Sequence, residues 1–380
     1  MTHLRTVTPY FTLAASLTTL LTLCTTHPTP MADTLVYRAE GASAANGGAD
    51  LYGFTVTAWH LPATYPPFAA LLFIPTAWPP LPVLKAAVLL GNIALTGALV
   101  HHACRLAGLR PTRATVCLLT SGALWLEPVF QTVLFGQINL ALAVLVLWDL
   151  NRPPGARGKG LALGIAAGIK LTPAVFIGYL FLTGRRKEAA RATAAAAGTV
   201  LLGAAVLPYA SVEFWTRRIF ETGRVGKAWI VDNQSLQGLV ARALHTAEPG
   251  ALWAVPAVLV ALAGLRAAGR ARTEARGVTL IAFTALLVSP ISWTHHWVWC
   301  VPLLAVLWAE GHRRTTVAVA ALFTARTMWL LPHQGDLDLH FAWWQQLLAS
   351  PYPLFGLGLV LLAPRQPSAS SSSASTIRYA

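Results

Sequence analysis

The amino-acid sequence predicts an all-α, polytopic integral membrane protein of about twelve transmembrane segments. Of its 380 residues, 55% are hydrophobic and 11% are charged, whereas charged residues make up about 25% of a soluble globular domain. Apolar runs long enough to cross a bilayer recur along the chain. The net charge of +14 comes from basic clusters between these runs, a pattern typical of cytoplasmic loops and not of a nucleic-acid-binding face.

The apolar runs define the predicted spans. The first follows Arg5 and is interpreted as an uncleaved anchor with its N-terminus inside, because no convincing small-x-small cleavage site follows it. Spans are predicted at residues 10–26, 82–104, 114–134, 140–150, 188–209, 251–265, 277–291, 296–309, 315–331 and 344–363. Two half-helices predicted within residues 161–182 bring the count to about twelve. Residues 1–365 are expected to form one transmembrane domain, and the serine-rich residues 366–380 a disordered cytoplasmic tail.

The first long polar interruption, residues 31–68, is predicted to be an outer loop. It carries Asp33, Glu40 and Asp50 in a chain with 14 acidic residues, and three acids at one membrane surface indicate chemistry. The apolar piece that follows Phe68 is too short to cross, and we expect it to lie in the interface.

Residues 161–182 are long enough to span once, yet basic clusters flank both ends. If both ends are cytoplasmic, the segment must enter the membrane and return. The turn is predicted at Lys170–Pro173, because proline removes a backbone donor. This turn places Lys170 at membrane depth, near a helix N-terminus that favours an anionic headgroup.

The second outer loop, residues 210–250, contains five basic residues, against the positive-inside bias. Apolar residues recur there at helical spacing, so we expect interfacial amphipathic helices over anionic lipid. The basic residues are Arg217, Arg218, Arg224, Lys227 and Arg242.

No metal, cofactor or nucleotide site is predicted. Cys24, Cys104, Cys117 and Cys300 lie in or beside apolar runs without a C-x-x-C pair, and we interpret them as small buried hydrophobic residues. No glycine-rich phosphate loop precedes a strand. A membrane enzyme that works on the outer side needs an activated donor that is itself in the membrane, and a prenyl phosphate sugar fits the cationic groups at depth.

Seven short stretches resemble one family, the polyprenol-phosphate-mannose-dependent mannosyltransferases of the GT-C, DUF2029 or GT87 type. The region from the first of these stretches to the last covers about three-quarters of the chain by the span count. They are DTLVYR at Asp33, GGADLYGF at Asp50, TYPPFAALLF at Tyr65, GQINLALAVLVLWDL from Gly136, GIAAGIKLTPAVF at Lys170, NQSLQG from Asn233 and SPISWTHHWVW at His295.

The resemblance implies an inverting GT-C glycosyltransferase of the cell membrane with its active site on the extracytoplasmic side. Such an enzyme takes a sugar from a polyprenyl phosphate donor and transfers it to a lipid or glycan acceptor. Membrane lipid surrounds it. An acid of the first outer loop is the general base, a role carried over to Asp33, with Asp50 as the alternative. The family usually has D-L-H-V-Y where this chain has D-T-L-V-Y, so one polar residue beside the base is absent.

The remaining site residues follow from the chemistry of transfer. Lys170, helped by His295 or His296, is predicted to bind the donor phosphate and stabilise its growing charge. The residues predicted to contact substrate are Tyr37, Tyr65, Gln137, Asn139, Asn233 and Gln234. A carboxylate that accepts the acceptor's proton accelerates such a step by about 100- to 10,000-fold.

Other interpretations stay open at this point. An arabinofuranosyl donor leaves the same sequence pattern, a secondary transporter also uses a broken helix with a buried charge, and a non-catalytic lipid-binding partner needs neither acid. Lys170 could pair structurally with Glu127 or Asp149. The two histidines lie among tryptophans that suit an interfacial belt.

Overall fold

The computed structural model describes residues 2–26 and 31–362, which are mostly helical. The predicted tail, residues 366–380, lies outside the described residues. The helices are α1 (Thr2–Thr26), α2 (Ala32–Ala45), α3 (Pro67–Phe73), α4 (Leu81–Leu106), α5 (Arg113–Ala123), α6 (Glu127–Phe135), α7 (Asn139–Leu150), α8 (Leu161–Ile169), α9 (Ala174–Leu182), α10 (Arg186–Val206), α11 (Pro208–Thr216), α12 (Leu236–Ala243), α13 (Ala251–Gly269), α14 (Glu274–Val288), α15 (Cys300–Ala309), α16 (Arg313–Ala325), α17 (Trp343–Ala349) and α18 (Pro351–Leu361).

Short elements complete the fold. Strands β1 (Thr55–Val56) and β2 (Leu61–Pro62) form an antiparallel ribbon in which Thr55 lies opposite Pro62. The 3-10 helices are Ile74–Ala77, Arg218–Phe220, Thr222–Arg224, Thr294–Trp299, Thr327–Leu330 and Leu337–His340.

Four helices in the described part of the chain are long and apolar enough to cross a bilayer: Val7–Thr26 of α1, α4, α10 and α13. The pair α5 and α6 adds a fifth if it is counted as one span, although the chain bends by 81° between them. The predicted class, a helical membrane protein, is therefore confirmed. The count of about twelve membrane segments is not confirmed, because α7, α15 and α18, which lie in predicted full spans, have only 10 to 12 residues. At 1.5 Å per residue these reach about 15 to 18 Å of a roughly 30 Å core.

Helices α8 and α9 form a hairpin with Lys170 at its tip. Gly160, at the start of α8, lies so close to Glu188 that an added Cβ would be 2.4 Å from the Glu188 carbonyl oxygen. At the far end of α9, Arg185 pairs with the same glutamate. Both ends of the segment therefore meet beside the start of α10, and the chain doubles back as the basic clusters on both sides predicted.

Glycines hold α8 tightly against α10. A Cβ on Gly164 would lie 2.2 Å from the Ala192 carbonyl oxygen, and one on Gly168 would lie 2.0 Å from Thr199 Oγ1. Since only glycine leaves room for this approach, the packing fixes the height of the hairpin tip relative to α10.

The segment predicted to be the first outer loop begins with a helix, α2. The Met31 backbone N–H donates to the Leu134 carbonyl oxygen at 3.2 Å, and Thr34 Oγ1 donates to the Gly136 carbonyl oxygen at 3.3 Å. These bonds fix the start of α2 on the end of α6. Because Asp33, Tyr37 and Glu40 are spaced i, i+4 and i+7, they lie on one face of α2.

The segment predicted to be the second outer loop contains α11, two 3-10 turns and α12, so the predicted helices are found there. The expectation that its basic residues lie over anionic lipid is wrong for Arg242, which is fully buried. Its guanidinium donates to the carbonyl oxygens of Trp229, Ile230 and Asn233 and to Ser350 Oγ. Tertiary packing therefore buries this cation, and its hydrogen bonds join residues 229–233 to Ser350.

Candidate active site

The ammonium of Lys170 is held at the hairpin tip. The chain leaves α8 at Ile169 and becomes extended at Lys170, which directs the side chain toward α7. Its Nζ donates to Asn139 Oδ1 at 3.0 Å and lies 3.2 Å from His296 Nε2. Because an ammonium has no acceptor, His296 must be neutral with its proton on Nδ1. One of the three N–H groups of the ammonium is left for a ligand.

The carboxylate of Asp33 is held by an oriented amide. Gln137 Nε2 donates to Asp33 Oδ1 at 2.7 Å. Gln137 Oε1 accepts from the hydroxyls of Tyr37 at 2.9 Å and Tyr65 at 3.2 Å. Because an ionised carboxylate only accepts hydrogen bonds, the amide turns its NH₂ group toward Asp33 and its oxygen toward the two hydroxyls.

Tyr65 connects the two charged groups. Lys170 Nζ lies 5.5 Å from the centroid of its ring, while its hydroxyl belongs to the Gln137 network. The residues Asp33, Tyr37, Tyr65, Gln137, Asn139, Lys170 and His296, all predicted from the sequence, therefore form one contiguous site. We call this set the polar cleft.

The pKa of Asp33 is raised to about 7. Burial is the largest cause, and the nearby charge of Asp232 adds to it, while the charge of Lys170 and the bond from Gln137 lower the pKa. A carboxyl with a pKa near neutrality is suited to accept a proton during a reaction at physiological pH.

His295 directly precedes His296, the histidine that contacts the ammonium of Lys170. Its side chain is 4% exposed, and neither ring nitrogen has a hydrogen-bond partner among the described residues. Its carbonyl oxygen accepts from Thr132 Oγ1 and Asn139 Nδ2, both at 3.1 Å. The backbone of His295 thus orients the amide that holds Lys170, and its ring carries unused hydrogen-bonding capacity.

An apolar crevice opens from the polar cleft. Its polar lining includes Lys170, Asn139 and His296. Its other walls come mainly from α7, α9 and α14 and from Trp299. They include Leu142, Ala143, Val175, Phe176, Ala282, Ala285 and Leu286. The crevice therefore suits an amphiphile with an anionic head and a hydrocarbon tail.

Asn233 and Gln234 lie outside the polar cleft and are fully buried. Asn233 Nδ2 donates to the carbonyl oxygens of Ala228 and Pro290, and its Oδ1 accepts from two backbone N–H groups. Gln234 Nε2 likewise donates to two carbonyl oxygens. Their assignment to substrate binding stays a prediction, and the geometry favours a role in supporting residues 292–296.

Asp50 is exposed and contacts no residue of the polar cleft by hydrogen bond or ion pair in the described part of the chain. The alternative partners of Lys170 are also occupied elsewhere. Glu127 accepts from Trp329 Nε1 at 3.0 Å and from the Tyr352 hydroxyl at 2.9 Å. Asp149 accepts from the N–H groups at the start of α8.

Two further acids near the cleft, Glu40 and Asp232, were not assigned a specific role from the sequence. Glu40 is fully buried, which raises its pKa to about 8, and its Oε1 accepts from the Thr64 N–H at 3.2 Å. Its spacing of seven residues from Asp33 was a usable signal, because that spacing returns to the same helix face. Asp232 lies close enough to raise the pKa of Asp33, and it directly precedes the NQSLQG stretch.

A helical membrane protein with an ammonium in an apolar crevice, and a carboxyl in the same polar cleft, is of a class suited to bind anionic lipids. Comparison with known proteins gives the family. The profile of glycosyltransferase family 87 matches residues 63–290, and the chain belongs to this family.

Curated relatives agree with the family. The chain is 36% identical over 354 residues to the polyprenol-phosphate-mannose-dependent alpha-(1-2)-phosphatidylinositol mannoside mannosyltransferase of Mycobacterium tuberculosis, covering 85% of this chain and 82% of the relative. It is 33% identical over 335 residues to the protein of the same description from Mycolicibacterium smegmatis, covering 80% and 75%. It is 35% identical over 274 residues to a polyprenol-phosphate-mannose-dependent alpha-(1-2)-phosphatidylinositol pentamannoside mannosyltransferase of M. smegmatis, covering 70% and 66%. No solved structure gives a significant match.

These matches confirm the family predicted from the seven stretches and the predicted enzyme class, a glycosyltransferase. They favour neither an arabinofuranosyl donor nor a transporter.

Proposed function

We propose that this protein is an inverting mannosyltransferase that moves mannose from a polyprenyl phosphate mannose to a phosphatidylinositol mannoside or a related lipid or glycan acceptor. The observation that carries the proposal is the meeting of Asp33 and Lys170 in one cleft above an apolar crevice. The printed names of the relatives supply the donor and the kind of acceptor.

Asp33 is the proposed general base. The acceptor oxygen attacks the anomeric carbon while its proton passes to the Asp33 carboxylate. The bond from that carbon to the phosphate oxygen breaks, and its electron pair leaves with the lipid phosphate. Attack on the face opposite the leaving group inverts the anomeric centre through an oxocarbenium-like transition state. A pKa of about 7 keeps a large share of Asp33 ionised at neutral pH.

Lys170 is the proposed phosphate-binding group. Two of its N–H groups are directed to Asn139 and His296, so the third is positioned before the substrate arrives. Such a preorganised donor in a half-buried site stabilises charge that develops on the departing phosphate without reorganisation during the reaction. The unpaired ring nitrogens of His295 and the Nδ1–H of His296 are the further groups proposed to assist.

The apolar crevice is the proposed entrance for the polyprenyl chain. With the phosphate at Lys170, the first isoprene units would lie along α7, α9 and α14, whose crevice walls are apolar. We place the cleft on the extracytoplasmic side of the cell membrane, because the basic clusters at both ends of the hairpin favour the cytoplasmic side.

The proposal is tested by incubating membranes that contain the protein with radiolabelled polyprenyl phosphate mannose and a phosphatidylinositol mannoside fraction. We expect label in the lipid product, an anomeric configuration opposite to that of the donor by NMR, and a loss of about 100- to 10,000-fold with Asp33→Asn. Transfer from a polyprenyl phosphate arabinofuranose in place of the mannose donor would refute the choice of sugar. Retention of the anomeric configuration would refute the mechanism.

A further inference from the structure

Asp232 is a carboxylate with one oxygen anchored and the other free. Thr294 donates to Asp232 Oδ1 through its hydroxyl at 2.7 Å and through its N–H at 3.2 Å. The same N–H also lies 2.9 Å from the Asp232 carbonyl oxygen. Asp232 Oδ2 makes no hydrogen bond to any described residue. It keeps some exposure, because the fully enclosed side-chain atoms without a partner do not include it. It is therefore accessible to a ligand.

A structural carboxylate in this chain looks different. Both oxygens of Asp149 accept backbone N–H groups at the start of α8, at distances of 2.9 to 3.0 Å. Asp232 instead sits near a second acid, Asp33, whose proton affinity its charge increases. Geometry links Asp232 to the polar cleft: Thr294, which anchors it, is followed by His295, whose carbonyl oxygen accepts from the Asn139 amide that holds Lys170.

The surroundings make Asp232 rigid. Asn233 Oδ1 accepts the Ser292 N–H at 2.9 Å, and the Gln234 N–H donates to the Ser292 carbonyl oxygen at 2.8 Å. These bonds tie the two residues that follow Asp232 to the segment that carries Thr294. The next residue is His295, whose buried ring nitrogens also lack partners. The buried ring of His295 and the free oxygen of Asp232 are thus held by the same short segment.

We propose that Asp232 binds sugar: its free Oδ2 accepts a hydrogen bond from a hydroxyl of the transferred mannose or of the acceptor. A carboxylate would repel the donor phosphate, whereas sugar hydroxyls are donors that a fixed carboxylate binds well. The inference rests on the proposed function and assigns this site a second carboxylate, distinct from the base.

The test compares wild type with Asp232→Asn on two sets of substrates, singly deoxygenated donors and singly deoxygenated mannoside acceptors. Asparagine keeps an oxygen for Thr294 and replaces the free oxygen by an NH₂ group, so it removes the acceptor with little change of shape. We expect kcat/KM on the parent substrates to fall about 10- to 100-fold. On the one analogue that lacks the bound hydroxyl, the two enzymes should be equal. The set in which that analogue occurs identifies the source of the hydroxyl.

Asp336→Asn, an exposed acid of the neighbouring loop, is the matched control and should behave as wild type. Thr294→Val serves instead if Asp232→Asn does not elute from size exclusion as wild type does. It removes the hydroxyl that anchors the carboxylate and keeps the carboxylate itself. It should weaken discrimination against the same analogue. An equal penalty on every analogue in both sets would overturn the inference, as would an unchanged kcat/KM. A wild-type protein that transfers no mannose would refute the proposed function instead.

Discussion

The pH dependence of transfer is the sharpest test of the role given to Asp33. Asp33 acts as a base only in its ionised form, and its pKa is about 7. The value of kcat/KM should therefore level off above pH 7 and fall below it. One group that must lose a proton gives a tenfold decrease per pH unit. At pH 5 the value should therefore be about 100-fold below the plateau. The donor is a phosphodiester that stays singly charged over this range and adds no titration of its own.

Gln137→Leu supplies the matched perturbation. The bond from Gln137 lowers the pKa of Asp33, so its loss must raise that pKa and move the midpoint to higher pH. A hydrogen bond to a charged group contributes about 1.5 to 3 kcal/mol, and 1.36 kcal/mol corresponds to one pH unit. Water that enters the vacated space restores part of the bond, so we expect a displacement of about one pH unit.

The assay is the initial rate of labelled mannose transfer at low donor concentration between pH 5 and 9. Gln345→Leu, which removes an amide that accepts the Ala342 N–H at the start of α17, controls for the loss of a capping side chain. A midpoint that stays in place in Gln137→Leu, or one that moves to lower pH, would refute the assignment of Asp33 as the titrating base.

Three further predictions concern the rest of the site. Lys170→Gln should lower kcat about 100- to 1,000-fold, because no ammonium then meets the departing phosphate; Lys187→Gln, on the exposed start of α10, is the control. Asp50→Asn should leave transfer unchanged, since the carboxylate is exposed and apart from the polar cleft. Gly164→Ala should lower stability by about 1 to 3 kcal/mol and reduce transfer, because its Cβ would lie 2.2 Å from a carbonyl oxygen of α10. Gly178→Ala, which points into open space, controls for the added methyl group in thermal melts of the detergent-solubilised protein.

Each of these has a contrary result. Wild-type kcat in Lys170→Gln would remove the ammonium from the mechanism. An Asp50→Asn enzyme as slow as Asp33→Asn would return the base to the other acid. Equal melting temperatures of Gly164→Ala and Gly178→Ala would show that the hairpin is not fixed by its contact with α10.

Much of the site was predictable because it follows from local patterns. Basic clusters on both sides of residues 161–182, together with Pro173, predicted the turn at Lys170, and the structure brings both ends of that segment to Glu188. Gln137 and Asn139 were identified from a single short motif, and each contacts one of the two charged groups.

The sequence by itself determined the class and the family, since hydropathy is a sum over neighbouring residues and a motif is a local string. Only the tertiary structure decided which acid meets the cleft. Asp33 reaches Gln137 across 104 positions because α2 docks on the end of α6, whereas Asp50 lies beyond that helix. It also turned Arg242 and the amide of Asn233 inward and left one carboxylate oxygen of Asp232 without a hydrogen bond to the described residues. Such outcomes depend on how helices pack against one another, and no local property of the chain encodes that arrangement in a readable form.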